Sequence, residues 1–203
     1  MAKRSEHSSE ELKALILNAA EIIVSEEGIS ALNVRRIARE IGYTVGSIYM
    51  VFANMADLIM QIHARTLDKL AENLIMVNND NDQQFLELWA MSYLSYATKN
   101  FNQWSHALKY NLPVKVEQET QTWYLTKIDK ILFPVRARLA RLKPAQTEEQ
   151  IKYAAIALST GIQGLCVLLI NAQSNKSEIK EIEDIVTLLV RNFLRGWLIE
   201  TNK

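Results

Sequence analysis

The sequence predicts an all-α protein. Apolar residues recur at three- and four-residue steps along nearly the whole chain of 203 residues, and no stretch alternates at the two-residue period of a half-buried strand. The chain has only 6 Gly and 3 Pro, which is few turn residues for a fold of many short strands. Hydrophobic residues make up 49% and charged residues 23% of the chain, which excludes a disordered polymer.

The first helix is predicted at about residues 9–27. Ser8 and Glu11 form a Ser-x-x-Glu capping box, in which each residue satisfies an unpaired amide at the start of a helix. Apolar residues then follow at helical spacing up to Gly28, which occupies the position of a C-cap glycine.

Two very short helices follow, joined by a tight turn. Asn33 is the N-cap of the first, which ends at Gly42, and Thr44 is the N-cap of the second, which runs to about Phe52. Isolated helices of this length are unstable in water, so their apolar residues must pack against the rest of the chain. This is the layout of a helix-turn-helix, whose second helix enters a DNA major groove.

The remaining helices are longer. Asn54 and Asp57 begin a helix predicted over about 55–77, which a polar loop at Val77–Gln84 separates from a helix at Phe85–Asn100. Further helices are predicted at about 148–173 and 178–200, for a total of about nine or ten. Between residues 100 and 148, proline is expected to end or kink helices at three positions. These are Pro113, Pro134 and Pro144.

We therefore expect two domains. Residues 8–54 form a helix-turn-helix DNA-binding domain, the helix over 55–77 is the link, and residues 78–203 form a larger helical domain.

The N-terminal segment resembles the TetR family of bacterial transcriptional regulators. The resemblance covers residues 10–60, about a quarter of the chain. The matching elements are Ile16-Leu17-Asn18-Ala19-Ala20, Glu27-Gly28-Ile29, Val34-Arg35-Arg36-Ile37-Ala38, Gly42-x-Thr44-x-Gly46-Ser47-Ile48-Tyr49-x-x-Phe52 and Asp57-Leu58-Ile59.

The resemblance implies which side chains meet DNA. Arg35 matches a position that reaches a base edge or a phosphate, and Tyr49 and Thr44 match phosphate contacts. The full set of implied DNA-binding residues is Arg35, Arg36, Thr44, Val45, Gly46, Ser47, Tyr49 and Met50. The chain departs from the family at Met55, where members often have a lysine, and at Met50, which gives an apolar face suited to thymine methyl groups.

The charge of the N-terminal segment is unusual for a DNA-binding domain. Residues 1–60 contain six Lys and Arg against eight Asp and Glu, whereas DNA binders are commonly basic. Most of these acidic residues lie on the first helix, however, while Arg35, Arg36 and Arg39 cluster at the motif. Because salt limits the reach of a charge to about 10 Å, we expect moderate affinity for double-stranded DNA.

The resemblance also implies that residues 78–203 form a domain for effector binding and dimerisation, with a small-molecule effector and a homodimer. Ten of the 16 aromatic residues fall in residues 85–133, and such a mixture suits an apolar pocket with polar anchors. The candidate pocket residues are Trp89, Tyr93, Tyr96, Trp104, His106, Trp123, Tyr124 and Gln163. The last two helices are too apolar for one exposed face each, and their candidate dimer residues are Gly161, Gly164, Phe193, Leu194, Trp197 and Leu198.

No catalytic constellation, metal-ligand spacing or cofactor motif is present, so we expect neither an enzyme nor a metal site. One cysteine, Cys166, excludes an internal disulfide. The N-terminus lacks the apolar core of a signal peptide, and the longest apolar stretch, Ala154–Ile170, is short for a membrane span. These features predict a cytoplasmic protein, and the resemblance implies a nucleoid-associated bacterial regulator, most simply a repressor that binds a near-palindromic operator. An all-α enzyme and a helical adaptor of the same fold without DNA binding are the alternatives.

Overall fold

The computed structural model of the protein describes residues 8–109, 117–171 and 176–199. Within these residues the chain forms α-helices and one 3₁₀ turn at Ile29–Ala31, and no strand, so the predicted all-α fold is confirmed. The helices are α1 (Ser9–Glu27), α2 (Val34–Ile41), α3 (Val45–Tyr49), α4 (Met55–Ile75), α5 (Asp82–Lys99), α6 (Phe101–Lys109), α7 (Gln118–Leu142), α8 (Glu148–Asn171) and α9 (Lys176–Leu198).

The predicted start of α1 is confirmed, because its capping side chains form the expected hydrogen bonds. The Ser8 hydroxyl accepts the Glu11 N–H at 3.2 Å, and the Glu11 carboxylate accepts the Ser8 N–H at 2.7 Å. Helix α5 begins earlier than expected, because Asn81 is its N-cap and accepts the Gln84 N–H at 3.0 Å. The predicted polar loop at Val77–Gln84 is correspondingly shorter.

Of the two outcomes expected at Pro134, a helix end or a kink, the helix end does not occur. Helix α7 continues through this residue from Gln118 to Leu142. An internal proline removes one backbone hydrogen bond and costs about 3 kcal/mol, but buried residues on both sides, including Ile131 and Val135, hold the helix against the core. Pro144 does follow the end of α7, and Pro113 lies outside the described residues.

The chain groups into two compact units that are discontinuous in sequence. The first contains residues 1–66 and 102–114, and the second contains residues 67–101 and 115–203. Helix α4 therefore contributes its first half to one unit and its second half to the other. The functional domain ranges 8–54 and 78–203 stay a prediction, and the packing adds that α6 groups with the N-terminal helices.

The first unit has one apolar core. Helix α1 packs against α2, and α2 packs against α3, while Leu58 and Ile62 of α4 join the same cluster. The buried members of this core from the short helices are Ile37, Ala38, Ile48 and Phe52. Packing of these side chains replaces the stability that α2 and α3 lack as isolated helices.

Helix α6 is fixed to the first unit by polar contacts. The Asn102 side chain donates to the Ser25 carbonyl at 2.8 Å, and the Gln103 side chain donates to the Glu21 carbonyl at 3.2 Å. His106 Nδ1 lies 2.9 Å from His63 Nε2 of α4, and the two rings stack with centroids 5.0 Å apart. Helices α1, α4 and α6 thus meet around a buried histidine.

The second unit is built around α5, which packs against α7, α8 and α9. Trp89, Leu86 and Ala90 of α5 are fully buried in it. Cys166 of α8 is buried too, and burial raises the pKa of its thiol to about 12. One described segment of α8, Glu148–Leu168, is long and apolar enough to cross a membrane by length and composition, a property shared by core helices of soluble proteins.

The buried histidine pair makes stability dependent on pH. Burial, and then the neighbouring His106, lower the pKa of His63 to about 4, whereas an unfolded histidine has a pKa of about 6.5. Between these values the unfolded chain takes up a proton and the folded chain does not, so stability falls as the pH falls. We expect urea unfolding to show a contribution from His63 of about 2 kcal/mol lost between pH 7 and pH 5. In His63→Gln this part of the loss disappears, and an unchanged pH dependence in that variant would contradict the assignment.

Candidate nucleic-acid interface

A left-handed glycine makes the turn between the two short helices. Gly42 has φ 71°, and the Tyr43 N–H donates to the Ala38 carbonyl at 2.9 Å. This closes α2 with the hydrogen bonds of a Schellman motif. Residues with a Cβ rarely adopt that conformation, so Gly42 ends α2 sharply and allows α3 to begin three residues later.

Thr44 begins the second short helix. Its hydroxyl accepts the Ser47 N–H at 3.2 Å and lies 2.9 Å from the Ser47 hydroxyl. Helix α3 ends at Tyr49, short of the predicted Phe52, although both Ile48 and Phe52 are buried in the core. The helix is therefore held on its inner side by apolar packing and at its start by Thr44.

The outer side of α3 presents most of the residues predicted to bind DNA. Met50 is 82% exposed and Tyr49 is 47% exposed. Thr44 and Gly46 are exposed, while Val45 and Ser47 are half-buried. A helix end with a large apolar tip and a phenol beside it has the shape and chemistry to enter a groove of DNA.

Of the three arginines in the motif, two are available to a ligand. Arg35 and Arg39 are exposed and make no ion pair within the described residues. Arg36 instead forms a two-pronged ion pair with Glu27, in which Nη1 donates to Oε2 at 2.9 Å and Nη2 donates to Oε1. The hydrogen bond from Arg36 lowers the pKa of Glu27. Arg36 thus ties α2 to the end of α1, a contact across nine residues that the sequence motif does not reveal.

The predicted effector residues divide between the two units. Trp104 and His106 belong to the first unit, and the other six belong to the second. Trp89, Tyr93, Tyr96, Trp104 and Tyr124 are buried, Trp123 is 40% exposed, and His106 and Gln163 are half-buried. The indole N–H of Trp89 is buried without an acceptor in the described part of the chain.

The second unit contains a large cavity with a different lining. We call it the α4–α7 groove, and its volume is about 780 Å³. None of the eight predicted effector residues lines it. Its lining residues are Asp68, Ala71, Glu72, Leu74, Ile75, Val77, Phe85, Asp129, Lys130, Phe133, Pro134, Ala137, Arg138 and Arg141. The sequence pattern could have indicated part of this lining, because the lining residues on α7 recur every three or four positions from Asp129 to Arg141.

The predicted dimer residues divide between the interior and the surface. A Cβ on Gly161 would lie 3.1 Å from the Leu189 side chain of the same chain, so Gly161 serves the packing of α8 on α9. Leu194 is buried, and the Trp197 indole donates to the Leu139 carbonyl at 3.4 Å. Phe193 is half-buried, whereas Gly164 and Leu198 are exposed. In the described residues no group of three or more His, Cys, Asp or Glu is placed to hold a metal ion.

The sequence model of the bacterial regulatory proteins of the tetR family matches residues 16–62. The resemblance that the motifs indicated is therefore confirmed. The match covers the helix-turn-helix and the start of α4, and the family consists of non-enzymatic transcription factors. Among curated proteins, none matches the sequence significantly.

Solved structures extend the likeness to the whole chain. A protein of unknown function from Rhodococcus sp. RHA1 has a TM-score of 0.74 at 16% identity, covering 96% of this chain and 98% of that one. A putative tetR family regulator from Shewanella sp. PV-4 has a TM-score of 0.69 at 16% identity, covering 89% and 96%. FadR from Bacillus subtilis, solved with stearoyl-CoA, has a TM-score of 0.65 at 15% identity, covering 90% and 98%. At these identities the likeness shows a shared fold.

Gly46 tests whether the outer side of α3 meets DNA. Glycine inside a helix costs about 0.5–1 kcal/mol relative to alanine, and a Cβ at this position would meet only the Thr44 hydroxyl at an ordinary 3.6 Å. Nothing in the described part of the chain therefore requires a glycine here. We expect Gly46→Ala to raise the free energy of unfolding by about 0.5–1 kcal/mol while it weakens DNA binding, because the added methyl group separates α3 from the DNA.

The matched control is Gly196→Ala in α9. Among the residues that the structure describes, a Cβ there would have no neighbour within 4 Å, so the same gain in stability is expected with no change in DNA binding. Denaturant unfolding and fluorescence anisotropy on labelled DNA measure the two effects. Equal DNA affinities for both variants would exclude close contact at Gly46.

Proposed function

We propose that this chain, a DNA-binding regulator with the N-terminal domain and fold of the TetR family, represses transcription as a homodimer bound to a near-palindromic operator. A small-molecule effector releases it from the DNA, and the site of action is the bacterial cytoplasm. The single observation that carries the proposal is the exposed outer side of α3, held at the tip of a matched helix-turn-helix.

The side chains around α3 support a particular way of reading DNA. Arg35, Arg39, Thr44 and Tyr49 are exposed polar groups that suit phosphate or base-edge contacts. Met50 is the most exposed apolar residue of the motif, and apolar side chains in the major groove contact thymine methyl groups. We therefore expect operators with A·T pairs where Met50 lies.

The charge of the motif supports moderate affinity. Because Glu27 neutralises Arg36, the positive charge offered to DNA rests mainly on Arg35 and Arg39. Each phosphate neutralised contributes about 0.9 to the slope of log affinity against log salt concentration. We expect a shallow slope, set by few phosphate contacts in each half-site.

A homodimer would explain the exposed apolar side of the last two long helices. On α8, Tyr153, Ile156 and Leu168 are exposed, and on α9, Ile185 and Leu188 are exposed. The exposed positions of α8, which recur every three or four residues, form one face. Two such helices from each subunit would make a four-helix bundle around a two-fold axis.

The course of α4 supports coupling between effector and DNA. Leu58 and Ile62 of this helix lie in the core that holds α2 and α3, and Leu74 and Ile75 of the same helix line the α4–α7 groove. Half-sites one helical turn apart require recognition helices spaced at about 34–36 Å. A ligand that shifts α4 would disturb this spacing, and the coupling must be reciprocal, typically 1–3 kcal/mol.

DNA binding is tested with two variants of the proposed DNA-binding face and with one control variant at Arg36, the neighbour of Arg35. Arg35→Ala and Tyr49→Phe should each weaken operator binding by about 1–3 kcal/mol, because each removes one contact to a base edge or a phosphate. Arg36→Ala is the matched control: its guanidinium is held by Glu27, so its loss should cost less than about 1 kcal/mol of operator affinity. The operator is first selected from a pool of random duplexes, and affinities are then measured by gel shift.

A parent protein that selects no sequence would overturn the DNA-binding function and favour the helical adaptor. If Arg35→Ala and Tyr49→Phe bind the operator as well as the parent does, the DNA-binding face lies elsewhere. Far-UV circular dichroism confirms that each variant stays folded.

The dimer is tested by light scattering. We expect a mass of about twice the 23.2 kDa of one chain. Leu188→Glu places a charge on the exposed apolar face of α9 and should raise the dimer dissociation constant at least tenfold, or ~1.4 kcal/mol. Leu125→Glu, an equally exposed leucine on α7, is the control and should leave the mass unchanged. A monomeric parent at micromolar concentration would contradict both the dimer and the palindrome.

A further inference from the structure

The α4–α7 groove has an apolar wall that faces solvent. Ile75 is 76% exposed and Phe133 is 61% exposed, while Leu74 and Phe85 are buried beneath them. Eight of the fourteen lining residues are apolar. An exposed concave surface that gathers large apolar side chains is typical of a site for a ligand or a partner.

The shape of the groove is elongated. Its α7 lining runs along one face of the helix from Asp129 to Arg141, which at 1.5 Å per residue is about 18 Å. Its α4 lining runs from Asp68 to Ile75, or about 11 Å. A volume of about 780 Å³ lies within the range of small-molecule sites, and this length fits an extended chain better than a compact ring system.

One end of the groove carries excess positive charge. Arg138 and Arg141 both contact the single carboxylate of Asp82, at 2.8 and 3.2 Å. Arg138 also lies over the Phe85 ring, with its guanidinium carbon 4.1 Å from the ring centroid, and this fixes its plane. Two guanidiniums against one carboxylate leave one positive charge, and the Arg141 side chain is 60% exposed at that end.

The other end of the groove is electrically balanced. Lys127 pairs with Asp68 at 2.6 Å, and Arg136 pairs with Asp129 at 2.6 Å. The hydrogen bond from Arg136 lowers the pKa of Asp129, so this carboxylate stays paired. Of the remaining lining charges, Glu72 and Lys130 offset one another in sign. The groove as a whole is therefore apolar along its length and cationic at its Arg141 end.

We propose that the α4–α7 groove binds an amphipathic organic anion, with an extended alkyl chain along Ile75 and Phe133 and a carboxylate-type head group at Arg141. Arginine binds such oxyanions through two parallel hydrogen bonds, and the alkyl chain removes the exposed apolar wall from water. This inference rests on the proposed function in one respect, that occupancy of the groove is the signal which α4 transmits to α3.

The experiment uses three ligands with one alkyl chain and different head groups. The full-length protein is titrated with dodecanoate, dodecanol and dodecylammonium below their micelle concentrations, by isothermal titration calorimetry. Dodecanoate should bind tightest, dodecanol more weakly and dodecylammonium weakest, because only the anion meets the positive charge at Arg141. Equal affinities for dodecanoate and dodecylammonium would overturn the assignment of the head group.

Two variants separate the head-group site from the chain site. Arg141→Gln should lower dodecanoate affinity about tenfold, the worth of one charge-assisted contact, and leave dodecanol affinity unchanged. Ala137→Phe fills the groove and should abolish binding of both. Arg195→Gln, an exposed arginine on α9 outside the groove, is the control and should bind as the parent does. If all three variants bind dodecanoate equally, the ligand does not occupy the groove.

The same protein is then tested on its selected operator, so that the two proposals fail separately. Loss of operator binding on addition of dodecanoate, absent in Ala137→Phe, supports both. Binding of dodecanoate in the groove by a protein that selects no operator supports the site and overturns the regulatory function. Operator binding by a protein that takes up none of the three ligands leaves DNA recognition intact and overturns the groove proposal.

Discussion

The structure of the helix-turn-helix depends on the burial of four side chains. Helix α2 has eight residues and α3 has five, well below the ~12–15 at which isolated helices become marginally stable in water. Ile37, Ala38, Ile48 and Phe52 are all buried against α1 and the start of α4. Each large apolar side chain buried contributes about 1.5–3 kcal/mol, so this packing fixes where the exposed residues of α3 point.

Helix α4 connects that core to the rest of the molecule through its covalent continuity. Its first half supplies Leu58 and Ile62 to the N-terminal core, and its second half supplies Leu74 and Ile75 to the α4–α7 groove. Helix α6 also contacts α4, because His106 lies within 2.9 Å of His63, near the middle of α4. Under the proposed function, a change at either the groove or the histidine pair would act on the helix that also contributes to the core of the helix-turn-helix.

Local features of the fold could be predicted because they depend on neighbouring residues. The capping pair Ser8–Glu11 and the N-caps Asn33 and Thr44 form as expected, since each joins residues three positions apart. The helix through Pro134 and the Arg36–Glu27 ion pair could not be predicted. The first depends on packing of α7 against the second unit, and the second brings together residues nine apart around a 3₁₀ turn.

The sequence by itself determined the all-α class, the helix-turn-helix and the exposed residues of that motif between Arg35 and Met50. Helical periodicity, capping residues and a glycine turn each depend on residues only a few positions apart, so the sequence shows them directly. Only the tertiary structure decided which exposed groups stay available and where an open groove lies. It assigned Arg36 to Glu27, buried Trp89 and Tyr93 in the core, and opened a groove between α4 and α7. Those outcomes depend on which helix faces pack together, and residues that are close in sequence do not determine that pairing.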